Sequence, residues 1–298
     1  MSKKLNGIII PAVTPFDENG VIDFDKMKYN FIKWNDTGVS GYMCLGSNGE
    51  YRSLTDEESL QVIRAAADFK ARDKTLIVGV GRESLYHTLL FISKLEEQHL
   101  EIDYISVLTP CYFANLMTDE ALIAYYSAIA DASFSPLLLY CAPGFVNGVC
   151  LSVEAVRELS KHPNIHGIKD TSSNMMEAYM EAFSGREDFE VLAGSLGNLW
   201  QCLEGGGSGG VVSVANYFPE KCVKFMQCYQ ETKKEDAKTY LEGLQNLAKH
   251  TGGRGSVAGV KCCMNLVGYQ GGFPRQPVLP IFVEVEAEIR QAMEELDC

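Results

Sequence analysis

Basic side chains are in short supply: 26 lysines and arginines stand against 39 aspartates and glutamates, a formal net charge of −13. An acidic surface repels a phosphate backbone, which argues against nucleic acid as a partner and for a protein that handles small molecules. Long apolar runs are missing too. The stretch at residues 7–13 is short and holds Pro11, so it resembles neither a signal peptide nor a membrane helix, and the expected location is the cytoplasm, away from membranes. No C-x-x-C pair occurs although there are ten cysteines (Cys44, Cys111, Cys141, Cys150, Cys202, Cys222, Cys228, Cys262, Cys263 and Cys298). Scattered through apolar stretches, they read as reduced core thiols rather than a disulfide framework. The five histidines never fall at ligand spacing with another His or Cys, and Pro163 keeps His162 and His166 off one helical face, so no metal is expected. Pro- or Ser-rich tracts that would mark a flexible linker are also lacking.

What is present is an alternation. Short runs rich in Val, Ile and Leu, at residues 7–10, 41–45, 75–80, 104–108, 136–140, 166–169, 190–193 and 209–214, read as strands buried on both faces. Between them lie amphipathic stretches at 23–36, 55–70, 84–97, 118–132, 152–160, 175–184 and 198–204, and Thr55-Asp56-Glu57-Glu58 has the form of a capping box. Eight βα units predict an α/β fold of the closed (β/α)₈ TIM-barrel type, with an open doubly wound sheet as the competing arrangement. Beyond residue 217 the pattern becomes wholly helical, at 219–232, 235–250, 257–267 and 281–296. The expected organisation is therefore a barrel over residues 1–216, followed by a barrel-completing helix and C-terminal helical extension over 217–298.

In a barrel, chemistry gathers at the C-terminal ends of strands. Lys169 ends the sixth run, where an amine partly withdrawn from water is available as a nucleophile toward a ketone; a structural ion pair with Asp170 or another carboxylate is the competing reading. Tyr140 ends the fifth run and could shuttle a proton there, or simply pack; Tyr112, just past the fourth run, carries the same two readings. Gly46-Ser47-Asn48-Gly49 can turn backbone N–H groups toward an anion, with Ser47 adding a hydroxyl, or be an ordinary tight turn. Gly205-x-Gly207-x-x-Gly210 has the letters of a dinucleotide fingerprint, but it precedes a strand and opens no helix. No cofactor is expected.

Taken in order, Gly7-Ile8-Ile9-Ile10-Pro11-Ala12-Val13-Thr14-Pro15-Phe16, the G-S-N-G-E segment at 46–50, T-P-C-Y at 109–112, Y-C-A-P at 140–143, G-I-K-D-T at 167–171, Leu192-Ala193-Gly194-Ser195, Ser213-Val214-Ala215-Asn216 and Gly271-Gly272-Phe273-Pro274-Arg275-Gln276-Pro277 resemble the dihydrodipicolinate synthase/N-acetylneuraminate lyase family of Schiff-base aldolases. The resemblance spans nearly the whole chain. It implies that Lys169 forms an imine with pyruvate and that Tyr140 moves protons for it. Ser47 would relay protons and, with Asn48, hold the 2-oxo acid carboxylate, while the backbone at Val212 would line the pyruvate pocket. Tyr112 would reach into a neighbouring subunit of a homotetramer built as a dimer of dimers. Where the synthases of this family carry an arginine for a second carboxylate, this chain has Phe145; Asn48, with T-P-C-Y at 109–112 and the segments at 159–165 and 188–195, is similar to 4-hydroxy-2-oxoglutarate aldolases, which also lack that arginine. The expected activity is thus cleavage or formation of a C–C bond between pyruvate and an aldehyde. The alternatives are a dihydrodipicolinate synthase, a lyase for N-acetylneuraminate or a 2-keto-3-deoxy sugar acid, and a non-catalytic 2-oxo acid sensor.

Overall fold

Eight short strands, each taken up almost entirely by side chains with no access to water, pair in parallel in chain order and close into a barrel. This is the arrangement in which both strand faces are covered, which is why the sequence shows continuous apolar runs instead of alternation. A computed structural model of the chain describes residues 5–172, 174–253 and 256–297; the two lysines near the N-terminus, at positions 3 and 4, and Cys298 lie outside the described residues.

The chain divides into two compact units. One opens with β1 (Gly7–Pro11), α1 (Phe24–Asn35), β2 (Gly41–Cys44) and α2 (Asp56–Phe69). In it, Asp23 caps α1 by accepting from Lys26 N at 3.0 Å, and Thr55 with Glu58 forms the anticipated capping box on α2. Such caps satisfy donors that the first helical turn would otherwise leave orphaned, at about 1 kcal/mol each.

The other unit holds β3 (Thr75–Gly79), α3 (Leu85–Glu96), β4 (Tyr104–Leu108), α4 (Asp119–Ala132), β5 (Leu137–Cys141), α5 (Val153–Leu159), β6 (Ile165–Asp170), α6 (Met176–Phe183), β7 (Glu190–Ala193), α7 (Leu196–Glu204) and β8 (Gly209–Val211). Ser84, Thr118, Ser152 and Ser195 cap α3, α4, α5 and α7. The Gly205–Gly210 segment carries the chain from α7 into β8: a side chain at Gly207 would collide with the Cys202 thiol and carbonyl, so these glycines serve close packing.

The first unit resumes with α8 (Pro219–Gln230), α9 (Lys234–Ala248), α10 (Ser256–Leu266) and α11 (Val283–Asp297). Its aromatic centre joins Phe31, Trp34, Tyr42 and Tyr269, with Trp34 stacked on Tyr269 at 5.9 Å and donating its indole N–H to Asn216 O. β8 ends three residues before its apolar run does. The Asn216 side chain donates to Ser213 O and Pro11 O, closing residues Ser213–Asn216 into a 3₁₀ turn where the sequence suggested continued strand. None of the described helices is long and apolar enough to cross a membrane.

Candidate active site

β5 and β6 run side by side, with Tyr140 opposite Lys169 and Cys141 opposite Asp170. Successive residues of a strand face opposite ways, so the first pair shares one face and the second pair the reverse face. The Lys169 nitrogen lies 3.9 Å from the centre of the Tyr140 ring, and each residue is only 4% exposed. In register beside them stand Leu108 on β4 and Leu192 on β7, so the amine and the phenol sit in an apolar collar.

The reverse face anchors these strand ends. Asp170 is fully buried and accepts from Ser172 N at 3.0 Å, Ser172 Oγ at 2.9 Å and Asn198 Nδ2 at 3.3 Å. Burial pushes its carboxyl above the usual range, and the hydrogen bonds from Ser172 work against that push. The backbone completes the clamp, with Thr171 N donating to Cys141 O and Gly194 N to Asp170 O. Asp170 therefore does not serve as an ion-pair partner on the Lys169 side of the strand; it faces away and ties down the loop that follows.

Two other sequence candidates lie at the surface of the same unit. Tyr112 is 77% exposed, and the carboxylate of Glu83 holds its loop by accepting from Cys111 N at 3.0 Å and Tyr112 N at 3.2 Å. Its ring packs edge-on against Phe113. Phe145 ends the 3₁₀ turn Pro143–Phe145 and is 54% exposed.

In the other unit, the segment after β2 forms two consecutive turns, Gly49 N donating to Gly46 O and Glu50 N to Ser47 O. Gly49 is required there, since a side chain would press on the backbone of Leu45 and Ala12. Ser47 and Asn48 are half-buried, and Asn48 Nδ2 donates to Ser213 Oγ at 2.8 Å, so the turn meets the residue that follows Val212. Val212 itself is buried; its N–H bonds to Ile9 O and its carbonyl accepts from Ala215 N.

Beneath this turn lies a group of residues that the sequence reading passed over. Glu50, in left-handed backbone conformation, pairs with Lys261 from α10 at 2.5 Å and accepts from Arg275 N at 2.9 Å. Lys261 is 1% exposed and also donates to Thr14 O at 2.8 Å and Phe273 O at 2.7 Å, while Thr14 Oγ1 donates to Gly49 O. Burial pulls the Lys261 ammonium down to about 8, and the Glu50 carboxylate opposes the change. Arg275 grips Glu58 with two parallel hydrogen bonds and reaches Ser53 O and Gly20 O, and its guanidinium holds the Glu58 carboxyl below the usual range. The G-S-N-G-E and G-G-F-P-R-Q-P motifs are thus two halves of one clasp. The available signal was Lys261 itself, a lone cation in the apolar run from Val257 to Met264.

Comparison with known proteins identifies relatives along nearly the whole chain. The chain is 31% identical over 293 residues to the "Probable 4-hydroxy-2-oxoglutarate aldolase, mitochondrial" of Emericella nidulans, covering 97% of this chain and 94% of that protein. It is 28% identical over 292 residues to the 4-hydroxy-tetrahydrodipicolinate synthase of an Exiguobacterium species, covering 98% of each. The crystal structure of a dihydrodipicolinate synthase from Bacillus anthracis superposes with a TM-score of 0.91 at 26% identity, covering 98% of both chains. With a family model matched over residues 4–296, nearly its whole length, the chain belongs to the dihydrodipicolinate synthetase family.

Proposed function

We propose that the protein is a lyase that cleaves a 4-hydroxy-2-oxo acid into pyruvate and an aldehyde through an imine on Lys169. The observation that carries this reading is the placement of the Lys169 amine against Tyr140 at paired, buried strand ends. In its uncharged form the amine adds to the C2 ketone, and loss of water gives an imine whose protonated form is an electron sink. Removal of the proton from the C4 hydroxyl lets the C3–C4 bond break: the aldehyde leaves, the bonding pair becomes an enamine, and the proton goes to Tyr140. Protonation of the enamine at C3 and hydrolysis then release pyruvate and restore the lysine.

The collar of Leu108 and Leu192 excludes water from the imine until hydrolysis is due. Ser47 and Asn48 take the C1 carboxylate, with Ser47 relaying the proton and the backbone at Val212 lining the pocket. Tyr112, exposed on a loop held by Glu83, serves the neighbouring subunit of a homotetramer. Phe145 occupies the place of a guanidinium that would bind a second carboxylate, which favours a partner aldehyde of low charge over the semialdehyde of a synthase. The expected setting is the cytoplasm.

The test is a panel of 4-hydroxy-2-oxo acids with pyruvate release as the readout. Turnover of at least one member, faster than any condensation of pyruvate with an amino-semialdehyde, is expected. Efficient condensation with no cleavage of any member would replace this reading with a synthase.

A further inference from the structure

The reverse face of the β5 and β6 ends carries a feature with no part in the scheme above. Cys141, one residue after Tyr140, lies with its sulfur 3.0 Å from that of Cys150. Cys141 is fully buried, whereas Cys150 is half-buried and reachable from solvent. A disulfide holds its sulfurs at about 2.05 Å, so bonding requires about 1 Å of further approach. The intervening residues 142–149 form the loop that presents Phe145, and they return to pack beside the strand they left.

The electrostatics divide the two thiols into unlike roles. The hydrogen bond between them lowers the Cys150 pKa, and that same contact, together with burial, raises that of Cys141. Half-exposed and of more thiolate character, Cys150 is the sulfur a peroxide would reach; Cys141, held against it and sheltered, is placed to resolve the product.

We infer that Cys141 and Cys150 form a peroxide-responsive dithiol that closes into a reversible disulfide directly behind Tyr140 and slows turnover by displacing that residue. The Cys150 thiolate attacks one oxygen of hydrogen peroxide; the O–O bond breaks, hydroxide leaves, and Cys150 becomes a sulfenic acid. The Cys141 sulfur then attacks Cys150, its proton and the departing hydroxyl leave as water, and the S–S bond forms. Two thiols and one peroxide give one disulfide and two waters. Closure shortens the sulfur separation at the very end of β5, and Tyr140, one residue back and paired with Lys169, moves with it. The residues 142–149 are closed into a ring, which restricts the loop carrying Phe145.

The test uses the full chain, reduced and desalted, treated with hydrogen peroxide under conditions that leave its circular dichroism unchanged. Peptide mapping after alkylation is expected to show a cross-link between the peptides of Cys141 and Cys150 that dithiothreitol removes. Pyruvate release is expected to fall several-fold and to recover with the same reductant, while Cys150→Ser resists the peroxide. Absence of that cross-link, or equal peroxide sensitivity in Cys150→Ser, overturns the inference. Should the serine variant fail to fold, Cys150→Ala and the mapping of the wild-type chain decide. The turnover measurement rests on the role proposed for Tyr140, but the cross-link does not, so failure of the imine mechanism and failure of the dithiol are read separately.

Discussion

Lys169 and Lys261 are buried to almost the same degree, 4% and 1% exposed, but in different company. The Lys261 nitrogen has all three donors engaged by the protein itself, one on the Glu50 carboxylate and two on the carbonyls of Thr14 and Phe273. An ammonium held that way has no lone pair to offer, and its work is to join the loop after β1, the turn after β2 and the segment before Arg275. Lys169 is positioned by strand register, with a phenol on one side and Leu192 on the other, at the end of a strand where catalytic groups of barrels gather. Burial alone therefore does not mark a reactive lysine. What surrounds the nitrogen, and which strand end it occupies, does.

Exchanging each lysine separates the two roles. Lys169→Ala is expected to reduce turnover by about 10⁴-fold or more, since loss of a nucleophile removes the covalent route altogether. Its circular dichroism and melting temperature should stay near those of the wild type, because the backbone pairing of β6 with β5 and β7 sets this strand end without the side chain. A collapse of the fold would show Lys169 to be the structural lysine of the two. Lys261→Met should do the reverse. It strands the Glu50 carboxylate in the interior, at a cost of about 3–5 kcal/mol in denaturant unfolding, while adding Glu50→Gln should return part of the loss. Equal losses in the single and double variants would mean that the ion pair is not what the clasp depends on.

Alkaline titration tests both units at once. Burial pushes the thiols of Cys44 and Cys202, one in each unit, up to about 12. An unfolded thiol ionises near 9.0, so above that pH the unfolded chain holds fewer protons than the native one. Stability present below pH 9 should then be lost on the way to 12, by about 1.4 kcal/mol per pH unit for each thiol. Melting temperatures in the presence of reductant should fall over that range, and Cys44→Ala should flatten the fall; a melting temperature independent of pH would contradict the assigned burial. The smallest effect is expected on the lysine–tyrosine side alone. Phe145→Arg should favour aldehydes bearing their own carboxylate by about tenfold in kcat/KM, through a bidentate contact. Unchanged ratios across an aldehyde panel would remove Phe145 from the specificity determinants.

Much of the fold was legible because the physics that forms it is local. Runs buried on both faces and Ser, Thr or Asp caps located the strands and helices to within a few residues. β8 was misjudged because its apolar letters run on past Val211, while the stop comes from Asn216, whose amide reaches back to Pro11, 205 residues away. The clasp was hidden for the same reason: Glu50, Lys261 and Arg275 leave no periodic trace, and 225 residues separate the first from the last. Of the site, Lys169 and Tyr140 could be read as strand ends. Ser47, Asn48 and Tyr112 could be raised as candidates from their places just past strand ends, but a choice between site and ordinary turn or packing for them, and any role for Val212 and Phe145, came from the family resemblance, since turns and aromatics look alike in any sequence.

The central claim is a covalent bond at Lys169. Reduction with borohydride in the presence of pyruvate, followed by intact mass measurement and peptide mapping, tests it most directly. The account predicts one reduced pyruvate adduct per chain, on the peptide containing Lys169 and absent from Lys169→Ala. An unmodified mass, or an adduct on Lys261 in its place, would contradict it.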